Sequence, residues 1–155
     1  MDKNKIEEYW RAFLATLPPD SPLRTKDYIA EKFGDSPELA DELAAIILEG
    51  TKTATCSALW EWQRDGDPLP EIGMITILLD GSDNPLCILQ TTEVTVLPYN
   101  QVDAQFAYEE GEGDRSLEYW HQAHWNFFSR SLALFGKKPT QEMPLVCERF
   151  QVIHK

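Results

Sequence analysis

Gly50-Thr51-Lys52-Thr53-Ala54-Thr55 marks the point where the chain passes from helical to extended periodicity, and its reading decides the fold. Upstream, Ser36 stands as an N-cap, Pro37 as the first helical residue and Glu38 as a first-turn acid, while Leu39, Leu43, Ile46 and Ile47 recur at helical spacing. The pattern predicts a helix over 37–49 that stops at Gly50, just before Lys52. A lysine, and a hydroxyl three residues later, therefore open the segment that follows. Residues three apart in a regular strand face opposite sides, so Lys52 and Thr55 share a pocket only where the backbone turns or bulges between them. A plainer role is also open: Lys52 complements the negative helix end and the threonines begin a strand.

Working outward, Ile6, Tyr9, Trp10, Phe13 and Leu14 form an apolar stripe, which predicts a first helix ending before Pro18-Pro19. Tyr28, Ile29 and Phe33 read as a short helical piece. Residues 53–62 read as extended, with Trp60 and Trp62 on one face, followed by a polar loop to about Glu71. Two β-rich runs, 74–79 and 86–97, flank Asp80-Gly81-Ser82-Asp83-Asn84, the best hairpin signal in the chain. A short helix over 101–108 leads to the acidic loop Glu109-Glu110-Gly111-Glu112-Gly113-Asp114. The longest helix follows, capped by Asp114 or Ser116, carrying Leu117, Trp120, Phe127, Phe128, Leu132 and Phe135, and stopping at Gly136. Residues 146–153 form a last strand. Without βαβ alternation, the class is α+β with a small, mostly antiparallel sheet or barrel.

At 155 residues the chain reads as one domain, 1–155, with 1–33 as an N-terminal helical extension. No apolar run reaches membrane-spanning length, and the N-terminus lacks a secretory pattern. Cys56, Cys87 and Cys147 are odd in number and widely spaced, which fits reduced thiols in a cytoplasmic protein. Cys56 lies near enough to Lys52 to be considered as a nucleophile, beside its reading as a small buried residue. A formal charge of −12 excludes a broad basic face for duplex nucleic acid. Any RNA must be gripped locally, as a single base or nucleoside in a pocket or as a short single-stranded segment.

The 50–55 segment, the hairpin with Thr91-Thr92-Glu93-Val94, the loop Glu110-Gly111-Glu112-Gly113-Asp114 and the closing Cys147-Glu148-Arg149-Phe150 form an ordered set. Together they resemble the ASCH-domain family, over roughly 34–153. The resemblance implies a PUA-like small β-barrel, mostly antiparallel, with flanking helices and a cleft between barrel and helices for RNA or a nucleoside. It implies a function among RNA-binding regulatory modules, ribonucleases and amidohydrolases that deacetylate acetylated cytidine. Lys52 and Thr55 match the amidohydrolase pattern, with Glu112 taken as the third catalytic residue and Glu110 as the alternative in the same loop.

In the acyl-transfer scheme Lys52 acts as a base, its pKa lowered by desolvation. Thr55 attacks the carbonyl, and Glu112 protonates or polarises the departing amine. The scheme contains a conflict, because a neighbouring carboxylate raises a lysine pKa. The same residues suit a metal-free ribonuclease, with Lys52 neutralising a phosphate oxygen. Around them, Thr53, Ser57, Trp60, Glu110, Arg115 and His124 are candidates for substrate binding. Trp60 would stack a base or pack in the core, and Arg115 would clamp a phosphate or pair with Glu118. Glu118, His121 and His124 drift around the helix, so no metal is expected, and no phosphate-binding glycine loop implies a nucleotide cofactor.

Overall fold

The computed structural model describes residues 1–155. The elements in chain order are α1 (Lys3–Leu14), β1 (Tyr28–Glu31), α2 (Pro37–Leu48), β2 (Ala54–Ala58), α3 (Leu59–Asp65), β3 (Ile75–Leu79), β4 (Pro85–Pro98), α4 (Ala104–Glu110), α5 (Leu117–Ala133) and β5 (Pro144–His154). One five-stranded sheet has the order β1-β3-β4-β5-β2. β1 pairs with β3 in parallel, and the other three pairings are antiparallel. The α+β, mostly antiparallel expectation therefore stands. Its edge strands β1 and β2 are not paired to one another, so the sheet stays open rather than closing as a barrel.

Helices cover both faces of the sheet centre. Ile75, Ile77 and Leu79 of β3 pack with Ile6, Trp10 and Phe13 of α1, while Leu78 joins Ala44 and Ile47 of α2. Two covered faces explain why Ile75-Thr76-Ile77-Leu78-Leu79 is a continuous buried run without polar alternation. Each fully buried Ile or Leu there contributes about 1.5–3 kcal/mol of transfer free energy. The third cluster lies under α4 and α5, where Trp120, Phe128 and Leu132 meet Ala54, Ala58, Leu145 and Cys147. Along α5, Trp120, His124, Phe128 and Leu132 recur every four residues and are all buried, so one polar ring is placed in an apolar stripe.

Two segments depart from the sequence reading. Tyr28–Glu31 is a strand, not a helical piece, because its partner in the ladder is β3, far along the chain. Leu59–Asp65 is a helix rather than a continuation of the strand, closed by Gly66 in the left-handed region at φ 70°. There the Trp62 indole N–H donates to Ser57 Oγ at 2.8 Å, drawing Trp62 back over β2. Trp60 and Trp62 therefore do not share a strand face.

Candidate functional site

Lys52 lies outside β2, in a connection whose backbone is stitched at both ends. The Thr51 and Lys52 amides donate to Ile46 O at 3.0 Å, and the Thr53 amide donates to Glu109 O at 2.8 Å. Lys52 therefore lies off the β2 ladder, where strand alternation does not fix its side relative to Thr55. Gly111, at φ 74°, caps α4 against this connection. A Cβ there would lie 2.6 Å from Thr51 O and 3.0 Å from Lys52 Cα. Gly111→Ala is accordingly expected to cost about 2 kcal/mol, by denaturant unfolding, through backbone strain and displacement of Thr51 and Lys52. A loss below about 0.5 kcal/mol, the ordinary surface range, would contradict that close packing.

The Lys52 side chain runs inward and is 1% exposed. Its ammonium lies 3.1 Å from Glu110 Oε1 and 3.3 Å from Glu112 Oε2, and also donates to Glu110 O. Glu110 is equally buried, and its other oxygen accepts from the Trp120 indole N–H and the Cys56 thiol. That oxygen also lies 2.9 Å from His124 Nε2. His124 Nδ1 is 2.9 Å from Trp120 O. A carbonyl and a carboxylate only accept, so both ring nitrogens must carry protons and His124 is an imidazolium. Lys52 and His124 thus face Glu110 and Glu112, two positive charges against two negative.

Burial by itself would lower the Lys52 pKa, but Glu110 and Glu112 together outweigh it and hold the ammonium above its ordinary value. This corrects the expectation of a base: Lys52 is a fixed cation. Burial likewise opposes ionisation of Glu110, yet Lys52 and His124 bring its pKa down to about 2. His124 is raised, burial being overcome by Glu110. Cys56 is pushed well up by burial and then by Glu110, which keeps it a thiol and removes it as a nucleophile. Cys56, Glu110 and His124 bring three potential ligand atoms within 4.8 Å of one another. An imidazolium and an ammonium already occupy Glu110 there, so the donor set does not suit a metal cation.

This cluster forms one wall of a cavity of about 500 Å³, within the range of small-molecule sites. Lys52, Thr55, Ser57, Glu110, Glu112 and His124 all line it. No hydrogen bond joins Lys52 to Thr55; the Lys52 ammonium is engaged by residues 110 and 112 alone. The remaining candidates lie elsewhere. Thr53 is spent on backbone contacts to Glu109 and Phe150. Trp60 packs against the α5 cluster, with Lys137 over its ring. Arg115 stacks on Tyr108 and donates to Tyr108 O and Thr51 O, so it staples the loop instead of facing a ligand or pairing with Glu118.

Five carboxylates line the cavity, Glu31, Glu61, Glu110, Glu112 and Glu148, against the four cations Lys32, Lys52, His124 and Arg130. Lys32 is paired with Asp83 and Arg130 with Asp35. Glu148, not singled out as a site residue from sequence, has its pKa pushed up to about 7 by burial and by neighbouring Glu31. The only sequence signal for it was its place in Cys147-Glu148-Arg149-Phe150. Linkage fixes the direction of the pH effect. His124 contributes fully below 6.5 and loses its contribution as pH rises through its raised folded value. Glu148 binds its proton more tightly when folded, so stability also falls between 4.5 and about 7. The Glu110 contribution is whole above 4.5 and is lost only as pH falls towards about 2. Unfolding midpoints measured against pH are expected to peak near about pH 5 and decline through neutrality; a rise from pH 5 to 8 would contradict these assignments.

The model of the ASCH domain matches residues 29–154. The crystal structure of an ASCH domain from Lactobacillus crispatus JV V101 is 31% identical, with a TM-score of 0.92 over 99% of this chain and 96% of that one. A crystal structure of a protein from Enterococcus faecalis V583 is 35% identical, with a TM-score of 0.86 over 97% of this chain and 89% of that one. No curated protein matches the chain. The chain belongs to the ASCH domain family, which associates it with RNA-related function. No helix is long and apolar enough to cross a membrane.

Proposed function

From this family membership and the charge of the cleft, we propose that the protein is a metal-independent amidohydrolase acting on an acylated nucleoside, with cytidine acetylated on its exocyclic amine as the model substrate. The reading is carried by one observation: a buried Lys52 ammonium, held by Glu110 and Glu112, shares with Thr55 a cavity whose four cations are each paired with a carboxylate, while Glu31, Glu61 and Glu148 of the lining are in no ion pair. An acidic lining repels a phosphodiester chain and suits a neutral base with N–H groups to donate. This favours nucleoside over polymer, and amide hydrolysis over RNA cleavage.

Each residue then has a role. The Thr55 hydroxyl attacks the acyl carbon. The Lys52 ammonium stabilises the oxyanion that forms, which suits a group fixed in place before the reaction. Glu112, with 21% of its side chain exposed, accepts the exocyclic N–H and orients the leaving amine. Glu110 and His124 act as positioning residues. Trp62 and Phe127 in the lining supply apolar surface for the base.

Calorimetric titration with cytidine and with a short single-stranded RNA, each at low and high salt, tests this choice of ligand. Cytidine binding that is nearly independent of salt, with RNA bound more weakly, is the expected result. Preferential RNA binding that weakens steeply with salt would instead indicate phosphate recognition, as in a non-catalytic RNA-binding module.

A further inference from the structure

A Lys52 ammonium leaves Thr55 without the base that its attack requires, and the sheet register places a carboxylate beside it. Thr55 on β2 is directly opposite Glu148 on the antiparallel β5. Directly paired residues project from the same sheet face with Cβ atoms about 4.5–5.5 Å apart. Both residues line the cavity. Unlike Glu110, Glu148 has no cation among the groups that set its proton affinity, which are burial, Glu31 and the Thr91 hydroxyl. A carboxylate that titrates near neutrality suits a general base.

We propose that Glu148 is the general base of the site, taking the Thr55 hydroxyl proton as Oγ1 adds to the acyl carbon. The proposal rests on the amidohydrolase reading above. The Oγ1–C bond forms and the carbonyl π electrons move to the oxygen beside Lys52. As the C–N bond breaks, Glu148 passes its proton to the departing amine. A water then attacks the Thr55 ester, giving one proton to Glu148, and Oγ1 recovers that proton as it leaves. One amide and one water become one amine and one carboxylic acid, with Thr55 and Glu148 restored. The other charges facing Glu148 around the cavity are Glu31 at the end of β1, Lys32 after it, Lys52, Glu61 of α3, Glu110 of α4, Glu112, and His124 and Arg130 of α5. His124 also titrates, so the test must remove the Glu148 step while leaving His124 in place.

The test uses p-nitrophenyl acetate as an acyl donor, following acetylation of Thr55 by peptide mass spectrometry across pH, for the wild type and Glu148→Gln. Acetylated cytidine is assayed in parallel. The wild type is expected to acylate Thr55 with a single rise near about pH 7, and Glu148→Gln to lose about 10²-fold or more together with that rise. Glu148→Gln should remain folded, since it removes a carboxylate whose ionisation is disfavoured in the native state; its unfolding midpoint at pH 8 is expected to equal or exceed that of the wild type. Acylation of Glu148→Gln at the wild-type rate, an unchanged pH step, or a wild type that leaves Thr55 unmodified would each overturn the proposal. Acylation of Thr55 that depends on Glu148, with acetylated cytidine untouched, would support the base and refute the substrate reading. Equal deacetylation of acetylated cytidine by wild type and Glu148→Gln would do the reverse.

Discussion

Glu110→Ala is expected to cost about 3–5 kcal/mol of folding stability, because removing one partner of a buried ion pair leaves charge uncompensated. In a chain of this size that lowers Tm by roughly 6–20 °C. Glu110 is the shared acceptor of the cluster: it meets Lys52, His124, the Trp120 indole and the Cys56 thiol. Without it, His124 can shed its proton to solvent, but Lys52 is left at 1% exposure with Glu112 as its only carboxylate. Glu110→Gln retains the side-chain shape and an acceptor for the Trp120 N–H, so its additional effect isolates the charge. The amide should still lose stability, and should make the alkaline side of the pH profile shallower, because His124 then keeps only Glu112, at 3.9 Å, as a carboxylate partner. Denaturant unfolding at pH 6 gives the two stability losses, and repeating it up to pH 8 gives the slope. A loss below about 1 kcal/mol for Glu110→Ala would mean that the cluster is not a coupled charge network.

Lys52→Met is expected to reduce deacetylation by about 10²–10³-fold, the range seen when one preorganised oxyanion donor is removed. Methionine approximates the length and apolar stem of lysine and takes away only the ammonium. The stability loss should be smaller than that of Glu110→Ala, because Glu110 keeps His124 and Trp120. Lys52→Arg is not expected to restore activity. A planar guanidinium does not replace a compact ammonium in a site with 1% exposure, contacted by two carboxylates and a carbonyl. Retained turnover in Lys52→Met, with normal folding, would assign the lysine to structure alone.

What the sequence revealed depended on how local each signal was. The Ser36 cap, Pro37 and the glycine stop defined α2 to within a residue, and the Asp80–Asn84 turn announced the β3–β4 hairpin. Tyr28–Glu31 was misread because four residues carry too little alternation to reveal a strand whose partner is β3, more than forty residues on. Trp60 and Trp62 mimicked strand alternation, and only the left-handed Gly66 and the Trp62–Ser57 bond show the chain turning into a helix. Lys52 stood out because a helix end placed it. The acidic loop could not be resolved internally: Glu110 ends α4 and points inward, while Glu112 follows its glycine cap and stays partly open. His124 carried a usable signal, as one polar residue in the Trp120, His124, Phe128, Leu132 stripe. Glu148 carried almost none, because strand register alone sets it beside Thr55, across 93 residues of sequence.

The central claim is hydrolysis of an acylated nucleoside at Lys52 and Thr55. It is tested most directly by mass-spectrometric turnover of acetylated cytidine, with chelator present and enzyme far below substrate, for the wild type and Thr55→Val. The expected result is multiple turnovers to cytidine and acetate by the wild type, and a loss of at least about 10²-fold in Thr55→Val. Intact substrate after incubation with the folded wild type, or equal rates for the two proteins, would contradict it.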